Sequence, residues 1–414
     1  MTSPILAVDF GTSNSAAAIL DGNVVHRIAI EAEADTLPTA VFFPTEGGMR
    51  IGRAASDALI DGDDGRYMRA LKSILGHDLL HESRLVGGKR QTLADVITSF
   101  LSAVKSRTET ATGHTFQRVL SGRPVQFHSD NPTRDQQAEA DLRACYHAAG
   151  FEQVDFLYEP EAAAHACHGM GGAGQTGLIV DIGGGTSDFS IYRSDGDTVT
   201  ILASHGIRLG GTDFDQKISM SHVMALLGHG GQLRRTFGAG LQPMPNAIFQ
   251  DLATWAKIPF LYSRETERKV DDLLQHAVEP AKLTRLRDVI EDRLGHELAF
   301  AVEAGKIAAN ARVGNARIDM EFVERGLEKP ITPGTMNAAL LGFRDDLKAA
   351  IHETLLRAQI APVGIDAAVL VGGSSLMQLV SDEVLAVCPN VTLHQSEAFT
   401  AVVDGLALAT KSQV

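Results

Sequence analysis

The hydrophobic pattern between Leu178 and Tyr192 predicts two strands joined by a glycine-rich turn. Apolar residues surround Asp181 in the first strand, and apolar and polar residues alternate after the turn, which is the period of a half-buried strand. The turn is made of Gly183, Gly184, Gly185, Thr186, Ser187 and Asp188. Its backbone N–H groups suit a phosphate and its aspartates suit a divalent cation, although three glycines could equally form a plain hairpin.

A second hairpin of the same kind begins at Ile5. An apolar strand leads to Asp9, the turn Gly11-Thr12-Ser13 follows, and a second apolar strand runs to Leu20. Two acidic, glycine-bearing hairpins in one chain favour two similar lobes on either side of one polyphosphate. This repetition weakens the interpretation of either turn as a plain hairpin.

Strands and helices alternate between the two hairpins. A helical period covers 92–110, a short strand begins at Val119, a helix runs from Pro132 to Ala149, and a strand covers 154–158. A further helix begins at Glu159. This order predicts a parallel crossover unit and an α/β fold.

The remaining patterns are mostly helical. A polar stretch after Gly52 has a helical pattern around Lys72, and helical periods dominate from about 228 to 303 around the single tryptophan, Trp255. We expect Trp255 to lie in the core of these inserted helices. Near the C-terminus, a buried strand breaks at Gly372, Gly373 and Ser374 into a helix, a position where nucleotides often bind.

Composition narrows the class of protein. The chain has 414 residues, 44% hydrophobic and 21% charged, as expected for a globular protein of two domains or lobes. A formal net charge of −14 disfavours nucleic acid and anionic membranes as partners. There is no signal-peptide pattern, no apolar run long enough to span a bilayer, and only three cysteines. We expect a cytoplasmic protein.

The motifs together resemble the nucleotide-binding domain of the seventy-kilodalton heat-shock (Hsp70) chaperones, within the actin and sugar-kinase superfamily. Residues 8–15 and 181–188 are similar to the two phosphate motifs of that family, and 371–374 to its adenosine motif. Residues 209–215 and 158–164 resemble segments that the chaperones have and the sugar kinases lack. The resemblance extends from residue 4 to about residue 410.

The resemblance implies a two-lobed actin-like ATPase fold, with duplicated ribonuclease H-like lobes around a nucleotide cleft. Lobe I would take 1–190 and regain 395–414, and lobe II would take 191–394, with a helical subdomain at about 228–303. ATP or ADP would bind with Mg²⁺, and K⁺ is a further candidate ion. The nucleotide-binding residues would be Asp9, Gly11, Thr12, Ser13, Asn14, Gly183, Gly184, Gly185, Asp188, Gly210, Gly211, Asp213, Glu303, Lys306, Gly372, Gly373 and Ser374.

The resemblance also implies roles in hydrolysis. Asp9 and Asp181 would hold Mg²⁺ through its waters, because this ion keeps a hydrated octahedral shell. Lys72 would place a positive charge at the γ-phosphate and the attacking water. Glu159 and Thr186 would help to position water and metal, and Asp181 is counted with them as catalytic.

The chain departs from the family pattern in places. Ile307 stands where the family has a cation after the lysine of its adenine-clamp helix, and Ser375-Leu376 replaces a threonine and an arginine. Losing these guanidinium groups predicts weaker or different binding of the base. The chain ends where the family's nucleotide-binding domain ends, so we expect no peptide-client domain. The longer segment at 228–303 is expected to present a surface to a protein partner.

The leading hypothesis is therefore a chaperone-like ATPase in which ATP drives lobe closure. A small-molecule kinase of the same superfamily is an alternative, for which Asp188 is the one obvious candidate base. An actin-like filament former and a nucleotide-gated scaffold without catalysis are the other hypotheses.

Overall fold

The structure is a computed structural model, and it describes residues 4–31, 34–166, 174–195, 199–236, 238–395 and 400–413. The chain divides into two compact units. Unit 1 holds the described residues up to Gly211 and from Arg344 onward, and unit 2 is Thr212–Phe343. The lobe boundaries expected at 190 and 394 remain predictions.

The first half of unit 1 alternates strands and helices as far as residue 166. Its strands are β1 (Ile5–Phe10), β2 (Asn14–Asp21), β3 (Val24–Arg27), β4 (Leu37–Pro38), β5 (Ala40–Pro44), β6 (Arg50–Ile51), β7 (Gly65–Arg69), β8 (Arg84–Val86), β9 (Lys89–Gln91), β10 (Arg118–Arg123) and β11 (Gln153–Tyr158). Its helices are α1 (Arg53–Ile60), α2 (Leu93–Thr112), α3 (Pro132–Ala148) and α4 (Glu159–Ala166).

Local chemistry fixes where two of these helices begin. The Thr92 side chain accepts from the Asp95 backbone N–H, and the Asp95 carboxylate accepts from the Thr92 backbone N–H, which forms a capping box for α2. The Asn131 side chain accepts from the Arg134 backbone N–H, and Pro132 occupies the first turn of α3. Both helices were predicted, and the structure confirms them.

The second half of unit 1 starts with an antiparallel meander. Its strands are β12 (Thr176–Ile182), β13 (Ser187–Ser194) and β14 (Val199–Ile207). Helix α5 (Gly211–Ile218) follows and continues into unit 2. Asp213, which we expected near the start of this helix, lies in its first turn.

Unit 2 is mainly helical and also contains short hairpins. A π-helical turn, Ser219–Val223, follows α5. The strands are β15 (Gln232–Arg234), β16 (Leu241–Pro243), β17 (Arg317–Asp319) and β18 (Glu328–Pro330). The helices are α6 (Ala247–Leu252), α7 (Arg264–His276), α8 (Pro280–Glu291), α9 (Gly295–Asn310) and α10 (Pro333–Ala339). The helical periods from 228 to 303 thus form helices, except where β15 and β16 pair.

The chain then returns to unit 1 and completes its second half. The elements are α11 (Leu341–Ala358), β19 (Ala367–Val371), α12 (Gln378–Val387), β20 (Thr392–Gln395) and α13 (Ala401–Ala409). A 3₁₀ turn, Gly373–Leu376, separates β19 from α12. None of the helices in the described ranges is long and apolar enough to cross a bilayer.

The two halves of unit 1 have the same topology. The first sheet has the strand order β11-β10-β1-β2-β3, with β4 beside β2, and the second has the order β20-β19-β12-β13-β14. In each sheet the central strand pairs antiparallel with the hairpin strand that follows it. On its other side the central strand pairs parallel with β10 in the first sheet and with β19 in the second. A further parallel strand follows at that edge, β11 or β20, and helices connect these parallel strands. The parallel crossover predicted for 119–164 is therefore confirmed.

The terminal helices of the two halves, α4 and α13, pack against each other in the shared core of unit 1. This core contains alanines of α4, valines of α13 and residues of both sheets. A Cβ placed on Gly405 of α13 would overlap the carbonyl oxygen of Ala162 in α4. Glycine therefore allows the two helix backbones to approach this closely.

The helical pattern predicted around Lys72 is wrong. Tyr67 and Met68 lie in β7 and pair with Phe42 and Val41 of β5. Lys72 itself lies in a 3₁₀ turn, Leu71–Ile74. The apolar residues of this segment are spaced for a helix, but pairing with β5 supplies the hydrogen bonds that decide its conformation.

Candidate functional site

The two glycine turns have the same geometry relative to their strands. In the first hairpin Asp9 is opposite Ala16, and in the second hairpin Asp181 is opposite Asp188. The Gly183 backbone N–H donates to the Thr186 carbonyl at 3.0 Å and closes the second turn. In each hairpin the aspartate is therefore the penultimate residue of its central strand, two residues before the first glycine of the turn.

The two turns lie against each other. A Cβ on Gly184 would overlap the Ser13 hydroxyl and lie 3.1 Å from the Thr12 Cβ. A Cβ on Gly185 would lie 3.0 Å from the Thr12 hydroxyl oxygen. The glycines of the second turn thus leave room for the hydroxyl side chains of the first. Gly11 is also restricted, because a Cβ there would overlap the Asn14 carbonyl oxygen.

Two more glycine segments complete this region. The Gly211 backbone N–H donates to the Gly183 carbonyl at 3.0 Å, and Gly210 packs against the backbone of Gly184. Gly372 has a φ of 80°, and a Cβ there would lie 2.8 Å from an Asp181 carboxylate oxygen. The Ser374 hydroxyl fills the space beside Gly211.

Lys72 and Glu159 form a buried ion pair at this region. The Lys72 ammonium donates to the Glu159 carboxylate at 2.6 Å, and the two residues are 6% and 8% exposed. Burial acts to lower the pKa of Lys72, but the charges of Glu159 and Asp9 outweigh it, so that the pKa is raised. Gly122 lies beside the Glu159 stem, where a Cβ would be 3.2 Å from Cγ.

The aspartates around this pair have raised pKa values. Burial raises the pKa of Asp9 to about 7, with the charge of Glu159 adding to the rise and that of Lys72 opposing it. Burial also raises the pKa values of Asp181 and Asp188 well above the ordinary range, and the negative charge of Glu159 is the second cause. Burying several carboxylates together is unfavourable unless a cation compensates them. Lys72 supplies one such cation, and carboxylate oxygens are also the ligands that a divalent cation prefers.

Asp188 is held in place by the first half of unit 1. Its carboxylate accepts the Val125 backbone N–H at 2.7 Å, and the residue is 1% exposed. Gly206 lies beside the same carboxylate, where a Cβ would be 2.5 Å away. Asp188 thus links the second hairpin to the segment that follows β10.

A small cavity that opens to solvent adjoins the ion pair. Its lining comprises Thr12, Lys72, Ser73, Phe127, His128, Gly185, Thr186 and Arg208. The sequence predicts four of these residues as part of the site (Thr12, Lys72, Gly185 and Thr186) but not the others, Arg208 among them. Arg208 directly precedes the 209–215 segment, but no local pattern distinguishes it from a surface arginine.

The predicted residues Asp213, Glu303 and Lys306 belong to unit 2. The Lys306 ammonium is 2.7 Å from an Asp215 carboxylate oxygen, and the Trp255 indole N–H donates to the other oxygen at 3.1 Å. Burial raises the pKa of Asp215, and Lys306 partly opposes the rise. Lys306 is therefore held in a buried pair within unit 2. Its contact with a nucleotide, like those of Asp213 and Glu303, stays a prediction.

The duplicated sheet topology of unit 1, with a glycine turn and an aspartate at the same place in each half, defines the class. It is the two-lobed actin-like ATPase fold, an α/β fold, as predicted from the sequence.

Comparisons with known proteins show what the chain is similar to. The model of the Hsp70 family, described as Hsp70 protein, matches residues 83–230. The chain is also similar to the chaperone protein DnaK of Endomicrobium trichonymphae, with 29% identity over 334 residues that cover 78% of this chain and 50% of that protein. The chain thus spans about half the length of this curated relative. These matches confirm the predicted resemblance to the nucleotide-binding domain of the Hsp70 family.

Proposed function

We propose that this chain binds ATP with Mg²⁺ at the two glycine turns of unit 1 and hydrolyses it to ADP and phosphate. The observation that carries the proposal is the buried Lys72–Glu159 pair at 2.6 Å, beside aspartates whose pKa values are raised. An ammonium group among carboxylates, next to turns rich in backbone N–H groups, suits a metal-bound polyphosphate.

The turns would hold the phosphate chain from two sides. Backbone N–H groups of the second turn and the Thr12 and Ser13 hydroxyls of the first can donate to phosphate oxygens. Asp9 and Asp181 would hold Mg²⁺ through water. In the described part of the chain, no three His, Cys, Asp or Glu side chains are arranged to bind a metal, which fits a hydrated ion better than a bare one. When bound, Mg²⁺ would neutralise phosphate charge.

Lys72 and Glu159 would act on the water that attacks the terminal phosphate. The ammonium supplies a positive charge where negative charge accumulates, and the carboxylate can accept a hydrogen bond from that water. Thr186, at the end of the second turn, would help to orient the same water. Since phosphoryl transfer mainly requires positioning and neutralisation of charge, these groups are sufficient in kind.

The position of Asp188 supports an ATPase over a small-molecule kinase. A kinase needs a carboxylate base that reaches an acceptor hydroxyl of its substrate. Asp188 is 1% exposed, and its carboxylate already accepts the Val125 N–H. A buried carboxylate held in this way is poorly placed to reach the hydroxyl of a bound substrate.

The output of hydrolysis would be a change in how closely the two halves of unit 1 approach, because each half contributes one of the turns around the phosphates. Nucleotide-driven closure of this kind suits a chaperone-like role in the cytoplasm. Within unit 2, the segment at 228–303 would present the surface for a protein partner.

The test is phosphate release by the purified chain with ATP and Mg²⁺. We expect Lys72→Ala and Asp181→Asn each to lower the rate by roughly 100-fold or more, because each removes a charge that acts on the transferred group. Lys89→Ala changes an exposed lysine of β9 and serves as the control, with a rate within about twofold of wild type. Calorimetry that detects no ATP binding, or hydrolysis that survives both substitutions, would refute the proposal.

A further inference from the structure

We propose that Arg208 is a second cation for the terminal phosphate of the nucleotide and for the inorganic phosphate that hydrolysis produces. This inference rests on the proposed function, since it concerns the same site. It assigns to Arg208 the ability to distinguish a nucleoside triphosphate from a diphosphate.

The cavity beside Lys72 has the chemistry of an oxyanion site. Its lining provides the ammonium of Lys72, the guanidinium of Arg208 and the hydroxyls of Thr12 and Thr186, and no described carboxylate lines it. The aspartates of the site lie outside this lining, so cation-binding groups and anion-binding groups are separated. A cavity with cations and hydroxyl donors, and without carboxylates, suits phosphate rather than metal.

Arg208 is anchored where the two halves of unit 1 meet. Its backbone N–H donates to the Ser129 hydroxyl at 2.6 Å, and its Nη2 donates to the Ser73 carbonyl at 3.1 Å. Ser73 directly follows Lys72 in the 3₁₀ turn. The guanidinium, which projects from the end of β14 in the second half, is thus tethered next to the lysine of the first half.

The remaining donors of Arg208 are available to a ligand. A guanidinium has five N–H donors, and the Ser73 carbonyl takes one of them. Throughout the part of the chain that the structure describes, no carboxylate lies within ion-pair distance of Arg208. An arginine at the rim of an anionic-ligand cavity, with four of its five donors uncommitted, is well placed to bind phosphate in two hydrogen bonds.

The neighbouring histidines are consistent with a positive environment. Burial, then the charges of His128, Arg134 and Arg208, lowers the pKa of His77 to about 4. Burial also lowers the pKa of His128, and Arg208 and Arg134 add to that effect. Cationic groups that discourage further protonation would favour an anion at the same place.

The role of Arg208 depends on how many phosphate groups the bound nucleotide carries. A diphosphate held by the two turns leaves this cavity to water, whereas a triphosphate extends its terminal group toward Lys72 and Arg208. After hydrolysis the free phosphate would stay between the same two cations. Arg208 should therefore strengthen binding of a triphosphate, and of phosphate in the presence of ADP, without strengthening binding of ADP alone.

The experiment is calorimetric titration with Mg²⁺ and either a non-hydrolysable ATP analogue or ADP, using the full chain. We expect Arg208→Gln to weaken binding of the analogue roughly tenfold and to leave that of ADP within about twofold. Arg208→Lys keeps the charge but loses the planar fork. Its affinity for the analogue should lie between those of the wild type and Arg208→Gln. Inorganic phosphate, titrated into the ADP complex, should bind wild type more tightly than Arg208→Gln.

Arg134→Gln is the matched control, because it removes a neighbouring exposed cation that does not line the cavity. Thermal melting checks that each variant is folded, and Arg208→Lys carries the test if Arg208→Gln unfolds. Equal binding of the analogue by wild type and both Arg208 variants, or equal loss for the analogue and ADP, would overturn the inference and leave the proposed function standing. A wild-type chain that binds neither nucleotide would overturn both.

Discussion

The two hairpins of unit 1 match position by position, but they differ in the residues that do chemistry. Asp9 and Asp181 are the penultimate residues of β1 and β12, and the next strand starts five residues later in the first hairpin and six residues later in the second. The first turn carries hydroxyl side chains at Thr12 and Ser13, whereas the corresponding positions of the second turn are Gly184 and Gly185. Hydroxyl groups in one turn thus face bare backbone in the other.

This difference shows that the two halves can share one backbone topology while the residues of their turns differ. The strand order is the same in both halves, and the terminal helix of each half packs in their shared core. The two turns, in contrast, are complementary in shape. If the second turn carried side chains like those of the first, they would overlap Ser13. The partner of the strand-end aspartate also differs, since Asp9 is opposite Ala16 and Asp181 is opposite Asp188.

The largest effect is expected where the two halves join. Gly405→Ala would place a methyl group on the Ala162 carbonyl, and the backbones of α13 and α4 would have to separate. We expect a loss of about 3 kcal/mol in the free energy of unfolding, measured by urea denaturation. Gly342→Ala, at an open position of α11, is the control and should be neutral or slightly stabilising. Equal stability of the two variants would show that the helix contact is not restrictive.

A smaller effect is expected from the contact between the turns. Gly184→Ala would force the Ser13 side chain to move, and we expect it to cost about 1–2 kcal/mol without ligand. Adding Ser13→Gly removes the side chain that would be overlapped and should recover most of the lost stability. A double-mutant cycle from denaturation curves measures the coupling. If the two changes were additive, the turns would not be complementary in the way described.

The smallest effect is expected from the titration of Asp9. Its pKa of about 7 lies above that of an unfolded aspartate, so the folded chain holds a proton that the unfolded chain has lost. Stability of the metal-free protein should therefore fall as the pH rises through this window, by about 1 kcal/mol between pH 6 and pH 7. Asp9→Asn should flatten this profile, measured by denaturation in a chelating buffer.

Asp21→Asn, at the exposed end of β2, is the matched control for this pH profile. It should keep the slope of the wild type. A profile in the Asp9 variant that remains as steep as in wild type would assign the titration to other groups, of which Asp181 is the first candidate.

The sequence predicts those parts of the fold that depend on short-range patterns. The hairpins at Asp9 and Asp181 follow from alternation and glycine, and α2 begins where Thr92 and Asp95 form a capping box. The order of strands and helices between them then implies the parallel sheet. These features need only neighbours within a few residues, so one sequence is sufficient for them.

The parts that could not be predicted depend on partners far along the chain. The helical pattern around Lys72 fails because β5 supplies pairing for the residues before it, and the lysine meets Glu159 across 87 positions. The Lys306–Asp215 pair and the tether of Arg208 at Ser73 are equally remote in sequence. Nothing in the local pattern of these residues indicates which group each one meets.

The burial of Trp255 has a practical consequence for spectroscopy. It is the only tryptophan in the chain, it is 2% exposed, and its ring lies 5.0 Å from that of Phe300 within unit 2. Its fluorescence emission therefore comes from unit 2 alone, while the strands of unit 1 dominate the sheet signal in circular dichroism. Following both signals through one denaturation curve separates the melting of the helical unit from that of the unit that carries the glycine turns.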